Sequence, residues 1–171
     1  MKKIYFISSI AAILLMSSCT KEKENNNNIN TADQEFMTQL ASNMKVEIAA
    51  AQIASSKSEN EDVRVHVQNL ITEYKIAQTD LHKLAESLNV SLESIRTAEQ
   101  VSLLSRLEGL RGSEFDAIYL NGSVKSQQHI LDIFQKAFNE GNNANVKGYV
   151  HRYIDLIERQ FLNSDRLFRN L

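Results

Sequence analysis

The chain contains no proline, one cysteine and only five glycines among its 171 residues. Proline is the strongest helix breaker, so its absence permits long uninterrupted helices. A single cysteine cannot form an internal disulfide. The glycines are dispersed and form no phosphate-binding loop, and no Gly-x-Ser-x-Gly elbow is present. These absences favour a helical protein and exclude two common catalytic motifs.

A strong excess of charge of either sign is also lacking. The chain has 19 basic and 21 acidic residues, which gives a formal net charge of −2. Loss of Lys2 and Lys3 with an export signal makes the remainder more acidic, and its basic residues form no cluster. Because a nucleic-acid-binding surface needs such a cluster, we expect no nucleic-acid partner.

The first 18 residues have the layout of a secretory signal peptide. Two lysines precede an apolar run over residues 4–16, which is shorter than the roughly 20 residues needed to span a bilayer. Two serines then lead to Cys19, and residues 15–19 resemble a lipobox, although Met16 stands where leucine is usual. We therefore expect cleavage before Cys19 and acylation at this residue, for example with palmitate. Simple cleavage that leaves a free thiol is the alternative.

Residues 19–30 are polar and include four consecutive asparagines at 25–28. Such a segment has almost nothing to bury, so we expect a disordered tether between Cys19 and the folded domain. The Lys-Glu-Lys-Glu run at 21–24 resembles the surface-export signal of some bacterial lipoproteins, and an ordinary solvated linker explains it equally well. The expected location is the cell envelope, lipid-anchored at the outer membrane, on its periplasmic or its outer face.

Apolar residues recur every three or four positions through most of residues 31–171, which is the spacing of amphipathic helices. Short links inside two helix pairs and a long link between the pairs predict an all-α, ferritin-like four-helix bundle, with a crossover segment that carries a short extra helix. The long helices are predicted over 31–58, 61–88, 113–140 and 143–170, and the short one over 97–110. The residues expected to point inward are Phe36, Leu40, Met44, Ile48, Ala51, Val63, Val67, Leu70, Tyr74, Ala77, Leu81, Leu84, Leu88, Val101, Leu104, Leu107, Phe115, Tyr119, Ile130, Phe134, Ala137, Phe138, Val146, Tyr149, Val150, Tyr153, Ile157, Phe161, Phe168 and Leu171.

Several polar residues are predicted to mark the helix ends. Thr31 with Gln34 resembles a capping box for the first helix, and Ser113 with Asp116 resembles the N-terminal cap of the third long helix. The residues expected to end the second and third long helices are Asn89 and Gly141.

Each long helix carries one polar or amphipathic residue near the middle of its apolar face. Helices of matched length bring such positions to similar heights, so we predict one buried polar layer. The four residues are Glu47, Tyr74, Gln127 and Gln160. A buried polar group needs a partner, and we expect Glu47 to accept hydrogen bonds from the other three.

The pattern for a di-iron site in such a bundle is a Glu-x-x-His sequence on each of two helices, and none is present. Glu73 and Glu158 are expected to be solvated neighbours of the layer and not ligands. The four histidines are single and scattered, and we expect them at the surface or at interfaces: His66, His82, His129 and His151. The sequence therefore predicts no metal site and no cofactor.

Three segments resemble the family catalogued as domain of unknown function 4142, and the resemblance covers nearly all of residues 33–171. The segments are Asn-Met-Lys-Val-Glu at 43–47, the run over 63–74, and Gly-Ser-Glu-Phe-Asp-Ala-Ile-Tyr at 112–119. The resemblance implies an exported or periplasmic ferritin-like bundle, with a glutamate in the first helix and histidines in the later helices that look like a metal set.

The same resemblance implies that this chain keeps the glutamate and lacks the histidines. Aligned by eye, Glu47 matches the family's glutamate, and the family's histidines fall on Tyr74, Gln127 and Gln160. One carboxylate, one phenol and two amides suit a divalent transition metal poorly, since such metals prefer imidazole, carboxylate or thiolate donors.

The lipid signal, the tether and the missing catalytic set predict a non-enzymatic, membrane-anchored interaction module. Its expected partners are the membrane, through the lipid, and a protein of the cell envelope. The alternative is a ferritin-like metal or redox protein that uses Glu47 with rearranged ligands such as His129 or Glu73. A carrier of a small ligand, held in the core between the helix pairs, is a third interpretation.

Overall fold

The apolar periodicity of the chain produces five helices in the computed structural model, which describes residues 28–93 and 95–171. Within these ranges no strand is present, and no helix is long and apolar enough to cross a bilayer. The predicted signal peptide, Cys19 and the predicted tether as far as residue 27 lie outside the described ranges. The helices are α1 (Thr31–Lys57), α2 (Glu61–Ser87), α3 (Ala98–Gly109), α4 (Gly112–Glu140) and α5 (Ala144–Arg169).

The four long helices pack side by side around one apolar core. Each of α1, α2, α5 and α4 packs against the next in that order, and α4 packs against α1 to close the ring. The short helix α3 lies in the crossover between α2 and α4 and packs on α1 and α4. This arrangement confirms the predicted four-helix bundle with a short extra helix. Among its completely buried apolar residues are Met37, Leu40, Met44, Val63, Val67, Leu70, Leu81, Leu107, Phe115, Leu120, Ile130, Phe134, Val146 and Ile157.

Four residues that were predicted to point inward are instead exposed. In α5 the buried positions near the end are Gln160, Ser164 and Leu167, which follow the helical repeat. Phe168 comes one residue after Leu167, about 100° around the helix, so its ring is directed away from the core. The prediction is wrong for Val101, Phe138, Phe168 and Leu171, whose exposed fractions are 51%, 46%, 36% and 54%.

The start of α1 is fixed by a cap that the sequence pattern misplaced by one residue. Asn30 is the N-cap, and its side chain accepts a hydrogen bond from the Asp33 backbone N–H at 2.8 Å. The Asp33 carboxylate accepts from the Asn30 N–H at 3.0 Å, which completes a capping box. The predicted box of Thr31 with Gln34 is therefore wrong, because the helix begins at Thr31 itself.

Asp33 also joins this end of α1 to the turn between α4 and α5. Its Oδ2 accepts from the backbone N–H groups of Asn142 and Asn143 at 3.3 and 3.1 Å. The Asn30 side chain donates to the Glu140 carbonyl at 2.7 Å. Residues 28–30, which were predicted to belong to the disordered tether, thus contact the bundle.

The remaining helix ends follow local backbone chemistry. Asn89 adopts a left-handed φ of 57° directly after α2, as expected of a helix stop, and Gly141 caps α4. At the start of α4, however, the N-cap is Arg111 without a side-chain hydrogen bond, and Gly112 has a φ of 60°. The predicted cap at Ser113 is wrong, because the left-handed backbone of Gly112 lets the chain enter the helix after Arg111, two residues earlier.

Candidate functional site

Glu47 lies in the middle of α1 and is the most deeply buried glutamate of the described chain, with 3% of its surface exposed. The Ser123 hydroxyl on α4 donates to Glu47 Oε2 at 3.0 Å. One turn later, the Gln127 amide donates to the same oxygen at 3.4 Å and to Ser123 Oγ at 2.9 Å. The predicted pairing of Glu47 with Gln127 is confirmed, and Ser123 is a partner that the sequence pattern did not reveal.

The protonation of Glu47 is set by its burial. Burial raises the pKa of its carboxyl from 4.5 to about 7, although hydrogen bonds from Ser126, Ser123 and Gln127 act in the opposite direction. A carboxylate without an opposite charge is costly in an apolar interior, and the neutral acid is favoured there. Glu47 therefore exchanges its proton near neutral pH.

Tyr74 is completely buried on α2, close enough to Glu47 for the two side chains to interact electrostatically. Burial raises the pKa of its phenol well above the usual range, and the charge of Glu47 raises it further. Its hydroxyl has no hydrogen-bond partner among the described residues. The prediction that Tyr74 donates to Glu47 is therefore wrong.

Gln160 bonds a different carboxylate from the one predicted. Its amide donates to Glu73 Oε2 at 2.5 Å, and Arg159 donates to Glu73 Oε1 at 2.8 Å. Glu73 is half-buried at the α2–α5 interface and is more than the solvated flank that was predicted. The four layer residues are all buried, as expected. They do not form one network, because Glu47 bonds Gln127, Gln160 bonds Glu73 outside the layer, and the Tyr74 hydroxyl has no partner among the described residues.

A groove of about 800 Å³ lies beneath the crossover, between α1, α3 and α4, and Glu47 forms part of its lining. Two hydrogen bonds join the crossover to α1 beside this groove. Ser42 donates to the Ile95 carbonyl at 2.9 Å, and the Gln100 amide donates to Asn43 Oδ1 at 3.3 Å. Glu47 is thus buried on the core side and reachable through this groove.

A second groove of about 360 Å³ runs between α2 and α5 and is lined by His66, Glu73, Arg159 and Gln160. His66 is 7% exposed, and its Nε2 lies 2.9 Å from Ser164 Oγ. Burial lowers the pKa of His66 from 6.5 to about 4, the Arg166 charge lowers it further, and Glu73 opposes both. Ser164 is completely buried, so a substrate cannot reach its hydroxyl as it could a nucleophile.

His66 was predicted at the surface or at an interface, and the structure buries it at the interface of α2 and α5. Its position in the helix carried a sharper signal. It lies three residues after Val63 and four before Leu70, on the apolar face of α2. That spacing predicts an inward side chain. The partner Ser164 could not be found in this way, because the contact joins residues 98 positions apart.

Comparison with known proteins identifies the family of this bundle. The family model for domain of unknown function 4142 matches residues 18–162. The chain belongs to the DUF4142 family. No curated protein is significantly similar to this DUF4142 protein.

Two solved structures have the same helical fold as this DUF4142 member. A DUF305 fragment from Deinococcus radiodurans superposes with a TM-score of 0.74 at 8% identity, over 83% of this chain and 98% of the other. A DUF305 protein from Streptomyces coelicolor, described as secreted, superposes with a TM-score of 0.70 at 11% identity, over 81% and 91% of the two chains. At these identities the likeness concerns the fold alone.

The donor chemistry of this DUF4142 member does not fit a transition-metal centre. In residues 28–93 and 95–171 no three His, Cys, Asp or Glu side chains lie close enough to hold a metal ion. The oxygens next to Glu47 belong to hydroxyls and an amide, which are weak ligands for such metals. His129 is exposed on the wall of the Glu47 groove, and Glu73 bonds Gln160 in the other groove.

Proposed function

We propose that this protein is an exported, lipid-anchored module of the cell envelope, which acts by binding and not by catalysis. The single observation that carries the binding role is the Glu47 groove, where a buried carboxyl held by Ser123 and Gln127 lies at the edge of a space of about 800 Å³. Grooves of a few hundred cubic ångströms with a few directed polar groups are typical of ligand sites.

The chemistry around Glu47 supports a non-catalytic role. General acid–base catalysis by paired carboxylates requires a second acid near the first, and the hydrogen-bonded neighbours of Glu47 are two hydroxyls and an amide. The half-buried Glu73 is bonded by Arg159 and Gln160. Each of these two carboxylates is thus bonded to groups that do not exchange protons near neutral pH.

The lipid anchor rests on the sequence of residues 1–19, and the secreted DUF305 relative supports export. Cells that express the full chain are grown with an alkyne-tagged palmitate, and the membranes are then separated by density. We expect the label on the wild type and in the outer-membrane fraction. Cys19→Ala is expected to lose the label and to leave the membrane, whereas Thr20→Ala keeps both. Label that persists in Cys19→Ala contradicts the anchor.

The non-metal role is tested by metal analysis of the full chain. The protein is purified without chelator, exposed to iron, zinc and manganese, and washed. We expect no stoichiometric metal, because the donors around Glu47 are weak ligands. A stoichiometric ion that disappears in Glu47→Ala contradicts the proposal and favours a metal or redox protein.

A further inference from the structure

The Glu47 groove combines hydrogen-bond acceptors with an apolar wall. The polar lining residues include Glu47 and Asn43 on α1 and Ser126 on α4. The apolar lining residues include Val46, Leu103 and Ile118. A ligand that matches both sets needs a donor-rich head and an aliphatic stem.

We propose that this groove binds a primary ammonium group on a short aliphatic stem, with the ammonium at Glu47 and the stem along Val46, Leu103 and Ile118. The inference rests on the proposed binding function and deepens it. A free alkylamine and a lysine side chain of a peptide present the same chemistry, and the experiment below distinguishes them.

An ammonium matches Glu47 in both charge and hydrogen bonding. It carries one positive charge and three N–H donors, and Glu47 offers one negative charge beside further oxygen acceptors. A buried charge is stable when it is paired and hydrogen-bonded. A calcium ion would need six to eight oxygen ligands, typically with several carboxylates, and Glu47 is the only carboxylate among the buried residues of the groove lining.

Binding of a cation at Glu47 must displace the carboxyl proton. Burial places the pKa of Glu47 near 7, so about half of the molecules bind the proton at neutral pH. The ammonium pairs with the ionised form only, so each binding event releases about half a proton at pH 7 and about 0.9 proton at pH 6. The other titratable or charged groups that face Glu47 or line the groove are Tyr74, Tyr119, Glu93, Glu99, Arg106, Lys125 and His129.

The test is calorimetric titration of the full chain in neutral detergent. The two probes are n-pentylammonium chloride and Nα-acetyl-lysinamide, and their controls without an ammonium are 1-pentanol and Nα,Nε-diacetyl-lysinamide. We expect pentylammonium to bind about tenfold more tightly at pH 8 than at pH 6, since the ionised fraction of Glu47 changes by that factor. Buffers of different ionisation enthalpy count the proton released. If Nα-acetyl-lysinamide binds as well as pentylammonium, the groove accepts a lysine side chain. If only pentylammonium binds, the ligand is a free amine.

Two variants separate the role of Glu47 from its surroundings. Glu47→Gln is expected to weaken pentylammonium binding at least about tenfold at pH 8 and to abolish the dependence on pH. Glu73→Gln, in the other groove, and His82→Gln, at an exposed position of α2 outside both grooves, are expected to keep both. Circular dichroism confirms that each variant is folded.

Three results overturn the inference: no binding of either ammonium probe, equal binding of 1-pentanol, or unchanged binding by folded Glu47→Gln. A lipidated, metal-free protein that fails these titrations contradicts the ammonium site and leaves the envelope module standing. If wild-type protein does not incorporate the alkyne-tagged palmitate, that result contradicts the lipid-anchored envelope module instead.

Discussion

The Gln160 amide lies 2.5 Å from the Glu73 carboxylate, across the interface of α2 and α5. Its counterpart on α4, Gln127, donates to Glu47 on α1. The two inward glutamines of α4 and α5 therefore donate hydrogen bonds to different carboxylates, which lie on opposite sides of the core. Glu73 also has a cation from Arg159, whereas Glu47 has only neutral donors within hydrogen-bond distance. Because no cation offsets its burial, the pKa of the Glu47 carboxyl is raised to about 7.

The first prediction concerns Glu47→Gln. The folded pKa of about 7 lies above the ordinary value of 4.5, so the contribution of Glu47 to stability is complete below pH 4.5 and is lost as the pH rises through 7. The glutamine variant stays neutral. As the pH rises from 4.5 to 8, we expect the free energy of unfolding of the variant to increase relative to that of the wild type by up to about 3 kcal/mol. Urea unfolding across this range measures the gain, and Glu158→Gln, at an exposed position, is the control, with a change below about 1 kcal/mol.

The second prediction concerns His66→Gln. The folded pKa of about 4 lies below the ordinary value of 6.5, so the stability present above pH 6.5 is lost as the pH falls through 4. We expect the wild type to lose up to about 3 kcal/mol in this range through His66. The variant keeps an amide to bond Ser164 and avoids this loss. Denaturant melts at several pH values test the prediction, with the exposed His82→Gln as control; equal slopes for His66→Gln and wild type contradict it.

The third prediction compares two buried tyrosines. The Tyr74 hydroxyl has no partner among the residues that the structure describes, and the Tyr149 hydroxyl donates to the Ala77 carbonyl at 2.9 Å. Removal of an unpaired buried hydroxyl relieves a desolvation penalty, whereas removal of a bonded one leaves the carbonyl unpaired. Tyr74→Phe should gain about 1 kcal/mol in the free energy of unfolding, and Tyr149→Phe should lose about as much. A loss for Tyr74→Phe in urea melts would show that its hydroxyl has a partner.

The fourth prediction compares two glycines at the start of α5 and just before it. A Cβ at Gly141 would lie 2.5 Å from the Ala137 carbonyl oxygen and 2.6 Å from Asp33 Oδ1, whereas a Cβ at Gly148 meets nothing within 4 Å. Gly141→Ala should therefore cost about 2 kcal/mol through forced displacement. Gly148→Ala, inside a helix, should gain about 0.5–1 kcal/mol. Thermal melts of the two variants should shift in opposite directions, and a stabilised Gly141→Ala would contradict the close packing.

The sequence was sufficient to predict the helices because their apolar repeat is a local property. Helix α2 shows this well: Val63, Val67, Leu70 and Tyr74 keep one phase, and all are completely buried. Phe168 was misplaced because the apolar repeat was followed from Phe161, seven residues earlier, whereas the buried repeat runs through Gln160 and Leu167, one residue out of phase with it. A large aromatic side chain next to the buried face is exposed whenever it lies one residue out of register.

The candidate site was predictable only in part. The burial of Glu47 and Gln127 follows from their places on apolar helix faces, and so did the expectation that they meet. The rotation of α5 against α2 decides whether Gln160 contacts Glu47 or Glu73. The spacing of residues within one helix does not encode that rotation. The groove itself depends on where the crossover lies, which is likewise a long-range property.

The junction at Asp33 has a mechanical consequence. Residues 28–30 enter the bundle beside the turn between α4 and α5, and Leu171 lies just beyond the opposite end of α5. A helix of 26 residues is about 40 Å long, so Asn30 and Leu171 are separated by roughly the length of the bundle. Tension applied through residues 28–30 is shared between α1 and the α4–α5 turn by the hydrogen bonds of Asp33 and Asn30.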